Sequence, residues 1–247
     1  MTQPEIQRLF NAWGQSHLHP DAVPPWLINR WEDVTGIEWT SEKIQLMTRN
    51  ILEELHPNET DVLLEIGCGS GWILKKLKSH CHRVLGLDIS RAMLKLARSS
   101  LPDDYLLAAE MARLPLKSES ADRILCYFVF LNNEDDVYLQ QTLEEIYRVL
   151  RKGGRALIGQ LPDVHGSDSY DRAKTEYVQY CRKHFQLGPD YRRQQRFPIR
   201  LFERDQIRRF FLGRGISFHF NDSFNPFFYP GQPATVKWRF DVILNKE

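Results

Sequence analysis

The chain has 247 residues, of which 42% are hydrophobic and 26% charged, enough apolar material for one large domain or one domain with an elaborated lid. Its formal net charge is +1, which argues against generic nucleic-acid binding, because a basic footprint normally drives that affinity. Charge is nonetheless uneven. Residues 1–60 carry nine acids against four Lys or Arg, whereas residues 182–214 carry ten Lys or Arg against three acids.

The first segment, MTQPEIQRLFNAWGQ, lacks an apolar signal core and reads as an amphipathic helix with Ile6, Leu9, Phe10 and Trp13 on one side. Three prolines between His19 and Pro25 break it. A longer helix starts near Ser41, a candidate N-cap, and runs through Ile44, Met47, Ile51 and Leu55. The pattern then alternates. Strands are expected at Asp61–Ile66, His82–Leu87, Tyr105–Ala109, Ala121–Phe128 and Arg155–Leu161, with helices at Trp72–Ser79, Arg91–Ser100 and Asp136–Leu150 between them. Gly153 and Gly154 read as the C-cap of the last of these helices. Beyond 161 the rhythm breaks into a helix at Tyr170–His184, a polar and basic loop, and a helix at Glu203–Leu212. Two β-rich segments, Ile216–Phe220 and Thr235–Leu244, are spaced as an antiparallel pair.

Strands alternating with helices imply a parallel sheet covered on both faces, with every strand's carboxyl end on one edge, where ligands bind. The expected architecture is therefore α/β, a Rossmann-like doubly wound sheet of seven strands ending in an antiparallel strand pair. It divides into a helical N-terminal lid (1–56), an α/β core (57–161), a lid insertion (162–202) and a C-terminal completion of the core (203–247), one domain overall. The longest apolar run, Ile124–Leu131, is too short to span a bilayer, so no membrane insertion is expected. Cys68, Cys81, Cys126 and Cys181 form no CxxC pair and no zinc-finger spacing, which points to reduced thiols, a cytoplasmic location and no bound metal.

The strongest motif is Glu65-Ile-Gly67-Cys68-Gly69-Ser-Gly71, placed where the first strand hands over to a helix. Glycines there permit a sharp turn and a close approach to a ligand, and the helix N-terminus offers unpaired N–H groups to an anion. The dinucleotide version, GxGxxG, needs a sixth-position glycine for close helix–strand packing; here that position is Trp72. The ExGxGxG pattern instead resembles motif I of class I S-adenosylmethionine (SAM)-dependent methyltransferases, of the methyltransferase type 11 kind. Further matches follow in register: Asp88 in GLDIS, Glu110 and Met111 in AAEMARLPL, ADRILC at the fourth strand and LRKGGRALI before the fifth. The resemblance covers about residues 55–160. It implies SAM as cofactor, with Asp88 and Ile89 at the ribose and Glu110 and Met111 at the adenine. Glu65, Gly67, Cys68, Gly69 and Gly71 would form the loop, and Cys126 the small residue beside the methionine part. The same resemblance implies methyl transfer to a small molecule, whose alternatives are a macromolecular or carrier-bound acceptor, or SAM binding without catalysis.

In-line methyl transfer needs alignment more than a covalent catalyst, so the catalytic group is less legible than the cofactor loop. Tyr127–Asn133 follows the fourth strand and is expected to face the methyl group; it has no Pro-Pro-aromatic core of the kind found in enzymes that methylate amines in DNA. Candidate acceptor contacts are Trp13, Tyr127, Phe130, Tyr170 and Tyr177, with further aromatic residues at Trp26, Trp31, Trp39, Tyr180 and Pro226–Tyr229. Arg192, Arg193, Arg196 and Arg200 could meet an anionic acceptor or form a solvated loop. His165, just past the fifth strand, is the best-placed candidate base, with His17 and His19 as others.

Overall fold

The computed structural model describes residues 3–16, 40–132, 135–185 and 200–247. In chain order its elements are α1 (Gln3–Ser16), α2 (Ser41–Leu55), β1 (Val62–Ile66), α3 (Trp72–Leu77), β2 (Arg83–Asp88), α4 (Arg91–Ser100) and β3 (Tyr105–Ala108). They continue with β4 (Ala121–Tyr127), α5 (Asp136–Val149), β5 (Leu150–Pro162), α6 (Ser167–Phe185), α7 (Arg204–Phe211), β6 (Ile216–Phe224) and β7 (Thr235–Lys246). Seven strands form one sheet in the order β3-β2-β1-β4-β5-β7-β6. The first five pair in parallel, and β7 is antiparallel to both β5 and β6.

Strands buried on both faces split their side chains between two cores. Leu63, Leu125, Leu157 and Ile243 face Met47, Ile51 and Leu55 of α2 together with Ile73, Leu74 and Leu77 of α3. Their neighbours Leu64, Ile124, Ala156, Val242 and Leu244 face Leu139, Leu143 and Ile146 of α5 with Ile207 and Phe211 of α7. Met47, Ile51 and Leu55 are fully buried, each contributing about 1.5–3 kcal/mol of burial. The strand order reverses between β1 and β4, which opens a crevice at their carboxyl ends.

Two cap assignments from sequence are corrected. The N-cap of α2 is Thr40, whose hydroxyl accepts the Lys43 N–H at 3.3 Å, so Ser41 is already helical. Gly153 and Gly154 do not cap α5. That helix ends at Val149, and Leu150, in extended conformation, enters β5 at once, paired with Ala121. Gly153, at φ 74°, instead lies where the β4–β5 register shifts, and the strand absorbs both glycines as an irregularity.

The N-terminal helix has a definite seat. α1 packs on α4 beside the β2–α4 turn. Gln7 Nε2 donates to the Ile89 carbonyl at 3.2 Å, and Asn11 Oδ1 accepts from Ser90 Oγ at 3.0 Å and from the Ala92 N–H at 3.3 Å. Gly14 permits the contact, because a Cβ there would lie 2.8 Å from that of Ala92.

Candidate functional site

The loop after β1 is built around three left-handed glycines, Gly67 (φ 74°), Gly69 (φ 53°) and Gly71 (φ 75°), a conformation that costs a side-chain-bearing residue about 1 kcal/mol or more. Space forbids substitution as well. A Cβ on Gly67 would sit 2.4 Å from Val129 Cγ2, and one on Gly71 2.8 Å from Leu101 Cδ1. The Gly67 and Cys68 N–H groups both donate to the Leu87 carbonyl, at 2.7 and 2.9 Å. Cys68 turns its thiol inward; it is 2% exposed and under Gly86.

Asp88 closes β2 at the same edge. Its Oδ2 accepts the Gly69 N–H and its Oδ1 the Ser90 N–H, both at 2.8 Å. Burial pushes its carboxyl pKa up, and the Ser90, Gly69 and Ile89 N–H groups partly oppose the shift. A carboxylate has about four acceptor directions, so these three donors leave room for a ligand's hydroxyl. Glu65, on β1 beneath the loop, is 3% exposed. Its carboxylate accepts the Leu74 N–H in the first turn of α3, while Oε2 has no hydrogen-bond partner. Burial drives its pKa well upward, with the Asp88 charge adding to the effect.

Glu110 is exposed just past β3, next to Asp88 in the register, since Asp88 pairs with Ala108. The Ala109 N–H donates to the Asp88 carbonyl at 3.0 Å. Met111 is half-buried on the α5 side of the sheet. Tyr138, on α5, is a residue the sequence reading missed. Its hydroxyl accepts from the Ala112 and Met111 N–H groups, and burial followed by the Glu110 charge raises its pKa to about 12. It fixes the Glu110–Ala112 turn from below. Cys126 is fully buried at the end of β4, its thiol pKa raised by burial.

A glycine loop, an acid at the end of β2, an acid after β3 and a small residue at the end of β4 thus converge on one edge. Residues 64–158 match a family model described as a methyltransferase domain. The matched residues form a methyltransferase domain. An uncharacterized methyltransferase of Oceanobacillus iheyensis is 28% identical over 128 residues, 52% of this chain and 60% of that protein. A malonyl-[acyl-carrier protein] O-methyltransferase of Erwinia pyrifoliae is 32% identical over 113 residues, 46% of this chain and 42% of that protein. The chain thus spans about half the length of the curated relatives it matches. Among solved structures, the fold is shared with a SAM-dependent methyltransferase of Thermotoga maritima at TM-score 0.58 and 20% identity, covering 98% of this chain and all of that one. It is also shared with a magnesium protoporphyrin IX methyltransferase of Synechocystis with bound SAH, at TM-score 0.61 and 14% identity over the full length of both.

Around the methyltransferase domain, the acceptor candidates divide. Tyr127 is 2% exposed, its ring against Gly159 and its hydroxyl accepting from Gln160 Nε2 at 3.3 Å. Phe130 is equally buried and packs edge-on to Phe202 at 6.4 Å, so it belongs to the core layer rather than to an acceptor wall. Tyr170 is half-buried against Phe227 and Trp238, at ring distances of 5.5 and 5.3 Å. His165 is exposed in a short 3₁₀ turn, its N–H bonded to Asp163 Oδ1 at 3.0 Å. Arg200 is not offered to an acceptor, because it pairs with Asp136 and stacks over Phe202 at 4.8 Å. The Trp13 and Tyr177 side chains, and all of His17, His19, Trp26, Trp31, Trp39, Arg192, Arg193 and Arg196, lie outside the described residues. The same holds for the Tyr180 side chain. Among the described residues no helix is long and apolar enough to cross a membrane, and no His, Cys, Asp and Glu cluster could hold a metal ion.

Proposed function

We propose that the chain is a SAM-dependent methyltransferase acting on a small-molecule acceptor. The observation that carries the cofactor half is Asp88: a partly accessible carboxylate at the end of β2, aimed by the Gly69, Ser90 and Ile89 N–H groups. A ribose hydroxyl would take the acceptor direction that remains. Ile89 follows Asp88 at the ribose edge, Glu110 would receive the adenine amino group, and Met111 would pack beside the ring. At Gly67 and Gly71 the loop leaves no room for a Cβ, which suits close approach of the cofactor's amino-acid end. Glu65 supports that loop through the Leu74 N–H and keeps a free oxygen within it. Cys68 and Cys126 are inert here, since burial holds both thiols protonated.

SAM carries a methyl on a sulfonium, and an acceptor nucleophile displaces it in line. The protein's part is to align the acceptor and exclude water, an entropic contribution worth roughly 7–11 kcal/mol in ideal cases. His165 remains the candidate base, exposed in the turn that follows β5. A carrier-bound acceptor is the second reading, favoured by the Erwinia pyrifoliae relative named for a malonyl-carrier-protein substrate. Incubation with methyl-labelled SAM and a cell extract, followed by separation by size, decides between them. Label in the low-mass fraction supports the first reading; label retained with protein supports the second.

A further inference from the structure

Helix α1 stands outside the alternation of strands and helices, yet it is seated on the turn that follows Asp88. Gln7, Asn11 and Gly14 are spaced i, i+4 and i+7, which puts them on one face of the helix. All three meet residues 89–93. Gln7 Nε2 donates to the Ile89 carbonyl at 3.2 Å. Asn11 Oδ1 accepts from the Ser90 hydroxyl at 3.0 Å and from the Ala92 N–H at 3.3 Å. At Gly14 the two helices touch through their backbones, since a Cβ there would lie 2.8 Å from Ala92 Cβ and 2.9 Å from the Met93 nitrogen.

One peptide group joins this contact to the site. The Ile89 carbonyl and the Ser90 N–H belong to the same planar trans unit and point in opposite directions. The carbonyl takes the Gln7 amide from α1, and the N–H donates to Asp88 Oδ1 at 2.8 Å. Turning that peptide away from Gln7 therefore also swings a donor off the carboxylate. Ser90 is held a second time. It is 0% exposed, and as the N-cap of α4 its hydroxyl accepts the Met93 N–H at 3.2 Å while donating to Asn11. The Ala92 N–H, which Asn11 also takes, is one of the donors that a first helical turn leaves without an internal partner. Helix α1 thus completes the cap of α4 two residues beyond Asp88.

We infer that α1 is a positioning element of the cofactor site, with Gln7 and Asn11 holding the Ile89–Ser90 peptide and, through it, the Asp88 carboxylate. This rests on the reading of Asp88 as the ribose acid and adds what keeps that acid aimed. Neither Gln7 nor Asn11 is assigned a contact with the cofactor; both act through Ile89 and Ser90. The effect is reciprocal by linkage: docked α1 tightens cofactor binding by the same factor with which bound cofactor stabilises docked α1. Asn11 serves only as an acceptor here, so an aspartate can take its place, and its charge suits a helix N-terminus.

The probe is S-adenosylhomocysteine, titrated calorimetrically into the full chain. Asn11→Ala is expected to weaken its binding about fivefold, the lower end of what coupling between sites gives. Asn11→Asp is expected to stay within about twofold of wild type. So is Arg8→Ala, whose side chain bonds back to the Pro4 carbonyl within α1. A helix that merely adds stability would cost the same affinity with or without the acid. In an Asp88→Ala background, where no carboxylate is left to aim, Asn11→Ala should instead cost less than about twofold. In the wild type, saturating S-adenosylhomocysteine should slow amide exchange across 3–16 by about fivefold or more. Unchanged affinity in Asn11→Ala, an equal loss in both backgrounds, no rescue by Asn11→Asp, or exchange across 3–16 that ignores the ligand overturns the assignment. The exchange measurement needs no variant, so it decides even where a variant fails to fold. Wild-type protein that binds no S-adenosylhomocysteine fails the cofactor reading itself, whereas binding to which α1 is indifferent fails this inference alone.

Discussion

Replacing Asp88 by alanine should weaken cofactor binding by about 10- to 100-fold. A hydrogen bond to a charged group is worth about 1.5–3 kcal/mol, and each 1.4 kcal/mol is tenfold in affinity. The carboxylate keeps an acceptor direction after the Gly69, Ser90 and Ile89 N–H groups are served, so losing one ribose bond gives the lower figure. The free protein suffers too. Those N–H groups lose their acceptor, which costs roughly 1–3 kcal/mol for a group left buried, and each kcal/mol lowers Tm by about 2–4 °C at this chain length. Asp88→Asn keeps one acceptor oxygen and should fall between. Because burial raises the Asp88 pKa, wild-type affinity should decline as acid protonates it, and the asparagine variant should lack that decline. The assay is calorimetric titration with S-adenosylhomocysteine from neutral to acid pH, beside thermal melts by circular dichroism. Unchanged affinity in a folded Asp88→Ala protein would refute the ribose assignment and leave Asp88 as a loop clamp.

Gly67→Ala should abolish measurable cofactor binding, since its Cβ would lie 2.4 Å from Val129 Cγ2 at φ 74°; adding Val129→Ala should restore part of it, and wild-type affinity in the single variant would contradict the tight-loop argument. Tyr138→Phe removes the acceptor of the Met111 and Ala112 N–H groups, so cofactor affinity should fall several-fold for about 1 kcal/mol lost, read by the same titration. Asn11→Ala cuts α1 from Ser90 and Ala92; amide exchange across 3–16 should accelerate while that of β1 and β4 stays constant, and uniform exchange would show that α1 is held otherwise. Asp241 has its pKa raised to about 7, chiefly by burial. A raised folded-state value favours the protonated form, so this contribution is complete below the unfolded value near 3.8 and is lost as pH rises through about 7. Denaturant unfolding should show wild-type stability falling between about pH 4 and 7 by a few kcal/mol, on the order of what 1.36 kcal/mol per pKa unit gives, with Asp241→Asn flatter; parallel curves would refute it.

The elements were legible where periodicity is strong. The segments DVLLEI, HRVLGL and ADRILC placed β1, β2 and β4 within a residue of their ends, and the α4 range matches the expected Arg91–Ser100. The glycines failed as punctuation at 153–154, because a helix that runs straight into a paired strand needs no left-handed cap. The glycine loop was legible because backbone geometry demands that residue type, as the left-handed φ values of Gly67, Gly69 and Gly71 show. They were not legible where burial reverses the usual meaning of a pattern. In TVKWRFDV, Lys237, Arg239 and Asp241 alternate with apolar residues, the pattern of a strand with one solvated face, yet Arg239 and Asp241 are fully buried. Phe130 erred the other way: an aromatic after β4 reads as an acceptor wall, and packing on Phe202 draws it into the core. Tyr138 carried no sequence mark, since one tyrosine on an amphipathic helix is ordinary core until its hydroxyl is seen under the Met111–Ala112 turn.

Calorimetric titration of the folded wild-type chain with SAM and S-adenosylhomocysteine bears most directly on the central claim. Micromolar binding of both, with one site per chain, is the expected result. A folded sample that binds neither, or that binds NAD in their place, would contradict it and reduce the glycine loop to a structural turn.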